Sequence, residues 1–170
     1  MKSLILHPTE ICQWHALVNE AQVNSQRLLS LDMESYLVFL LMRFSHGPEL
    51  IESVLGLDFL DAMSSAGINQ IERFKEVGDK SLLFSGLFPG LARKRHVSLG
   101  YFSQIGQTAY LAVSERYDDK NAELYSQLSH QFLSLQKVLQ AVRNHPFPLL
   151  DISQDDEIIS FDVNFKQRNQ

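Results

Sequence analysis

Residues 32–45 read DMESYLVFLLMRFS, and this stretch decides the fold of the chain. A helix from Met33 to Ser45 is apolar on nearly every side, so other elements must cover it in most directions. Asp32 precedes it and is typical of an N-cap, because its carboxylate accepts from the free amides of a first helical turn. The sequence therefore predicts that this helix lies at the centre of a bundle and is its most buried helix.

Helical periodicity continues on both sides of this stretch, from Thr9 to about Arg143. Thr9 and Ser98 are expected to cap two helices, and Asp118-Asp119 to open a last long helix that ends at Arg143. That helix carries a narrow, coiled-coil-like apolar seam at Leu124, Leu128, Phe132, Leu135, Leu139 and Val142. We expect an all-α, single-domain multi-helix bundle of about six helices, formed by residues 1–145.

Residues 146–170 form a C-terminal tail of a different kind, since two prolines at 146 and 148 end the helical pattern. Apolar and polar residues alternate strictly in its last part, which is typical of a β-strand with one buried face. Its partner is expected to be residues 3–6, the same tail of a second subunit in a homodimer, or another protein. The alternative is an extended arm packed on the bundle. The apolar side chains assigned to assembly are Ile159, Phe161, Val163 and Phe165.

Composition narrows the class of protein. The chain has 170 residues and a formal net charge of -5, which argues against a general nucleic-acid binder. No apolar run reaches the ~20 residues of a membrane span, so we expect a cytoplasmic protein with no membrane anchor. Cys12 is the single cysteine, which leaves no internal disulfide, and its spacing in the first helix favours a buried, inert thiol.

We expect no metal and no cofactor. The six histidines are scattered without the spacing that places two ligands on one helix face. Residues 58–68 resemble a helix-turn-helix, but Arg73 stands where the second helix needs an apolar residue, and two aspartates would repel phosphate. The loops that cradle nucleotide phosphates and the nucleophile-elbow motif are missing.

The region from Gly78 to Tyr110 is the best candidate for a ligand site. It combines a mid-helix glycine with a basic run, and that run precedes a helix N-terminus whose free amides also favour an anion. A small anionic ligand between the Gly78 and Ser98 helices is the prediction, and a solvated charged loop is the alternative. The residues assigned to the ligand are Asp79, Arg93, Arg95, His96 and Tyr101.

Two stretches of the same region carry a resemblance. Residues 77–89, VGDKSLLFSGLFP, and 98–110, SLGYFSQIGQTAY, together with 34–37, ESYL, resemble an all-helical protein family of bacteria whose members are uncharacterised. Phe102 departs from it, standing where a second tyrosine is expected. The resemblance implies a bacterial, cytoplasmic, all-helical protein, and it implies no activity and no catalytic residue.

Two hypotheses of function follow. The first is a non-enzymatic interaction or regulatory module, favoured by the seam, the tail and the lack of a reactive constellation. The alternative is a ligand-binding protein or enzyme that holds a small anion at the Gly78–Tyr110 region.

Overall fold

A computed structural model of the chain describes residues 9–46 and 54–144. The helices of this part of the chain are joined by short turns and loops, and it contains no strand, which confirms the all-α prediction. It holds eight helices rather than about six: α1 Glu10–Ser25, α2 Leu31–His46, α3 Leu55–Ser64, α4 Gly67–Leu87, α5 Pro89–Lys94, α6 Leu99–Ser114, α7 Lys120–His130 and α8 Phe132–Arg143. The tail residues Ile159, Phe161, Val163 and Phe165 lie outside the described residues, so the strand and assembly predictions stay predictions.

The two extra helices arise where the sequence gives weak signals. The expected last helix is divided at Gln131, whose φ of -103° and ψ of 18° leave the helical region although no glycine or proline marks the break. The segment between α4 and α6, which contains the basic run at residues 93–96, is partly helical. Pro89 is the first residue of α5, a position that suits proline.

Three of the four predicted caps are confirmed. Thr9 accepts a hydrogen bond from the amide of residue 12 at 3.3 Å, Ser98 from that of residue 101 at 3.1 Å, and Asp119 from that of residue 121 at 2.8 Å. Asp32 is not a cap, because α2 begins at Leu31 and Asp32 lies inside its first turn. Ser30 Oγ accepts from the amide of residue 33 instead, at 3.3 Å.

Cys12 is exposed, contrary to the buried thiol that its spacing predicts. It lies in the first turn of α1, while the apolar stripe of that helix reaches the core only from Trp14 onward. A stripe position at a helix end is covered only if another element extends past that end.

The centre of the bundle is α4, and the prediction that α2 is the most buried helix is wrong. Every residue from 77 to 88 is buried, whereas Phe39 in the middle of α2 is 56% exposed. Helix α4 packs against α3, α6 and α8, while α2 packs mainly against α1. The burial of α4 is hidden in the sequence because it includes Asp79, Lys80, Ser81 and Ser85, which a count of apolar residues passes over.

Small residues allow the helices around α4 to come close. An added Cβ at Gly78 would lie 2.5 Å from the Tyr110 ring of α6, and one at Gly106 of α6 would meet the Phe132 ring of α8. Glycines at these two positions therefore allow α4, α6 and α8 to pack closely. All seam residues from Leu128 to Val142 are buried in the chain's own core. Helix α7 packs on α6, and α8 packs on α1 and α4, so the chain itself covers this seam.

We expect Gly78→Ala to destabilise the fold and Gly100→Ala to leave it unchanged or slightly more stable. The Tyr110 ring that the added methyl group would strike is fully buried, and overpacking of this kind costs about 1–3 kcal/mol. Gly100 is exposed, its nearest neighbour being Ser98 Oγ at 3.8 Å, and alanine favours a helix by up to about 1 kcal/mol over glycine. Urea unfolding of both variants measures the difference, and equal stabilities would contradict the close contact.

Candidate functional site

The most unusual group in the structure is the carboxylate of Asp79, which is only 3% exposed. Tyr36 and Tyr110 donate their hydroxyls to its Oδ1 at 2.6 and 2.7 Å, and Arg43 Nη2 donates to Oδ2 at 2.6 Å. A buried carboxylate without partners would cost several kcal/mol, and hydrogen bonds to charged groups are the strong ones. Asp79 therefore joins α4 to both α2 and α6.

Local geometry explains why these donors reach one carboxylate. Tyr36 and Arg43 are seven residues apart on α2, which places them on one helix face two turns apart. Tyr110 comes from α6, and its ring reaches Asp79 because Gly78 has no side chain in its path.

A pocket of about 380 Å³ opens beside this cluster, between α2, α4 and α7. Most of its wall is ring and hydrocarbon, and its polar groups are few: two cations, one carboxylate and two phenols. Its lining residues are Tyr36, Phe39, Leu40, Arg43, Lys75, Asp79 and Tyr125.

Aromatic contacts hold the wall in place. The Tyr125 ring packs edge-on against Tyr36 at 5.6 Å between ring centres, and stacks on Tyr117 at 6.1 Å. Tyr110 lies behind both, 6.1 Å from Tyr36 and 5.9 Å from Tyr125. Lys75 places its ammonium 6.0 Å from the centre of the Tyr125 ring, within the range of a cation–π contact.

The protonation states of the cluster follow from burial and charge. Burial raises the pKa of Tyr36 and Tyr110 well above the usual value of a phenol, and the adjacent Asp79 carboxylate adds to the shift. Burial also raises the pKa of Tyr125. Burial alone would lower the pKa of Arg43, but Asp79 outweighs it and the pKa is raised. At neutral pH the phenols are therefore hydrogen-bond donors, and Arg43 is a cation.

Lys75 is a second cation at the pocket. Its partial burial would lower the pKa, but the neighbouring Tyr125 and Glu72 outweigh this effect and raise it. The pocket thus presents two positive side chains and one carboxylate on a mostly apolar, aromatic surface.

The predicted site residues are only partly placed here. Asp79 lines the pocket, but the other four do not. Arg93 and His96 are exposed at the end of α5, where His96 has a left-handed φ of 55°. Arg95 lies over the Phe84 ring at 5.5 Å, and Tyr101 is partly exposed on α6. Anion binding by these four residues stays a prediction.

Four lining residues are not among the site residues that the sequence predicts: Tyr36, Arg43, Lys75 and Tyr125. One signal could have found part of the set: a single arginine inside the apolar run of α2 and a single aspartate inside the apolar half of α4. Opposite charges in two apolar helices predict a pair, because each would be costly to bury alone.

A smaller cavity of about 230 Å³ lies between α3 and α4. Lys80, almost fully buried, points its ammonium at Asp58 Oδ2 at 3.3 Å and Glu76 Oε1 at 3.4 Å. Charged side chains that already pair with one another therefore line this cavity.

Two kinds of feature are absent from the described residues. They contain no group of three acidic, histidine or cysteine side chains placed to hold a metal ion. None of the helices at 9–46 and 54–144 has the length and apolar character needed to cross a membrane.

We expect the free energy of unfolding to fall in alkaline solution, because the pKa values of three tyrosines are raised in the folded protein. Because the folded pKa of Tyr36, Tyr110 and Tyr125 is raised, their contribution is complete below the unfolded value of 10.0 and is lost as the pH rises above it. Urea unfolding between pH 8 and 11 should show the decline, and Tyr110→Phe should make it less steep. Tyr101→Phe, at the surface, is the matched control. A decline of equal steepness in Tyr110→Phe and the parent would contradict this assignment.

Comparison with known proteins gives no relative that would assign the site. No family model, no curated protein and no solved structure matches the chain.

Proposed function

We propose that the protein is a binding protein or sensor that holds a small organic molecule in the pocket between α2, α4 and α7. The observation that carries this is a pocket of about 380 Å³ whose apolar, aromatic wall surrounds a few polar groups. Ligand sites in proteins have this composition, and their volumes begin at about 300 Å³.

The chemistry of the lining supports binding more than catalysis. Asp79 already accepts three hydrogen bonds, including one from a cation, so it is poorly suited to take a proton from a substrate. The phenols have raised pKa values and stay protonated, which weakens them as nucleophiles or bases. Fixed donors and rigid rings suit recognition.

A thermal-shift screen tests the proposal. The set should contain small aromatic and aliphatic acids, amides, alcohols and amines, and we expect at least one class to raise the melting temperature saturably. A ligand at a hundred times its Kd stabilises the folded state by about 2.7 kcal/mol. Phe39→Ala removes an exposed wall of the pocket and should weaken binding, whereas Leu31→Ala, exposed on the same helix but outside the pocket, should not. A set without any saturable binder would defeat the proposal.

The interaction module remains a second candidate, because α3 carries an exposed apolar stripe. Val54, Leu57, Leu60 and Met63 recur every three residues and are 57–61% exposed. Contiguous apolar patches on a surface often mark a protein interface. We propose that this stripe is where a second copy of the chain would pack.

Light scattering of Leu57→Asp/Leu60→Asp tests this second candidate. If the parent protein is a dimer through α3, charges in the stripe should give the monomer mass. Leu28→Asp is the control, because Leu28 is 90% exposed and lies outside α3. A parent protein of monomer mass, or a dimer that persists in the variant, would reject the α3 interface.

A further inference from the structure

We infer that the ligand of the α2/α4/α7 pocket is a monocarboxylic acid with an aromatic or branched apolar body, its carboxylate held between Arg43 and Lys75. This inference rests on the proposed binding function and adds the chemical class of the ligand.

Arg43 has donor capacity that Asp79 does not use. One nitrogen of its guanidinium, Nη2, donates to Asp79, and the structure gives Arg43 no other hydrogen bond within residues 9–46 and 54–144. Its side chain is 54% exposed and lines the pocket, so the remaining N–H groups are open to a second acceptor. A guanidinium presents its donors as a planar fork, which matches the two oxygens of a carboxylate.

The position of Arg43 is also fixed in advance. Asp79 is almost fully buried and is held by Tyr36 and Tyr110, so it anchors the arginine from the inner side. An arginine held in this way loses little further freedom when it binds an anion, and such preorganisation increases affinity.

The lining residues also carry a net charge. Arg43 and Lys75 are positive and Asp79 is negative, so the lining residues carry one positive charge in excess. Among the described residues, the carboxylate oxygen within 4 Å of Lys75 is Glu72 Oε1, at 3.6 Å. That side chain is 58% exposed and is not part of the pocket wall. A ligand with a single negative charge neutralises the excess, whereas the second charge of a phosphate would meet Asp79 without a counter-ion.

The rest of the pocket wall is mostly apolar. Tyr36, Phe39, Leu40 and Tyr125 provide three rings and one branched side chain, a surface that binds an apolar body by burying it from water. A small hydrophilic anion such as acetate would leave this surface unfilled. The apolar body and the single charge are therefore both required.

Isothermal titration with matched compounds tests the class of ligand. Benzoate and 3-methylbutanoate combine one carboxylate with an apolar body; benzamide and benzylamine keep the ring but replace the charge; acetate and inorganic phosphate keep a charge but lack the body. We expect the first two to bind and the other four to bind at least about tenfold more weakly. The amide and the amine lose hydrogen bonds between the carboxylate and the cations, whereas acetate and phosphate lose the burial of an apolar body, and each loss is worth about one such factor or more.

Two variants locate the carboxylate. Lys75→Gln and Arg43→Gln should each weaken benzoate binding about tenfold or more, and Lys137→Gln, an exposed lysine of α8 outside the pocket, should leave it unchanged. Arg43→Gln removes a partner of buried Asp79 and needs a check of folding by urea unfolding. Lys75 forms no ion pair with Asp79. Lys75→Gln therefore gives the decisive measurement if Arg43→Gln fails to fold.

The outcomes separate this inference from the proposed function. If benzamide or benzylamine binds as tightly as benzoate and Phe39→Ala still weakens that binding, the ligand need not be a carboxylate. That result would overturn this inference and leave the pocket as a binding site. Benzoate binding that is unchanged in Lys75→Gln would also overturn it. If none of the six compounds, nor any in the broader screen, binds, both the class and the binding function fail.

Discussion

A single buried negative charge, the carboxylate of Asp79, sets the arrangement of the helices around it. Removing a carboxylate from water costs several kcal/mol, and the cost is offset only when donors meet it in good geometry. Here the donors come from two different helices, Tyr36 and Arg43 from α2 and Tyr110 from α6. A packing of α2 or α6 that moved either helix by one turn would leave the charge with fewer donors than it needs.

The hydrogen bonding of Asp79 explains both the close packing of α4 against α6 and the pocket between α2, α4 and α7. On the inner side the Tyr110 ring must reach Asp79 across α4, and Gly78 leaves room for it. On the outer side Arg43 reaches in from α2 with its long side chain, and the space beneath it, bounded by Lys75 and Tyr125, is the pocket. The pocket is thus a consequence of how the charge is satisfied, and its cation is held by the core.

How much of this could be predicted depends on the sequence distance of each interaction. The caps at Thr9, Ser98 and Asp119 involve residues two or three positions apart, and the sequence predicts them correctly. The partners of Asp79 lie 31, 36 and 43 residues away, so no local pattern contains them. The apolar pattern of α2 predicts that this helix lies at the centre of the bundle, because the long-range partners that bury α4 are not visible in the sequence. Of the pocket residues, the sequence predicts only Asp79 at a site.

Polar residues inside α4 also determine how this helix is rotated about its axis. Asp79 and Lys80 are neighbours in sequence, so they point in directions about 100° apart, and each finds opposite charge on a different helix: Arg43 of α2 and Asp58 of α3. Ser81 donates to the carbonyl of Phe102 in α6, and the carbonyl of Ser85 accepts from Gln136 in α8. An apolar helix of similar volume could settle in several rotations with little difference in energy. With these polar groups, any other rotation would leave two buried charges without partners, so α4 has one orientation, and the helices that it contacts are arranged around it.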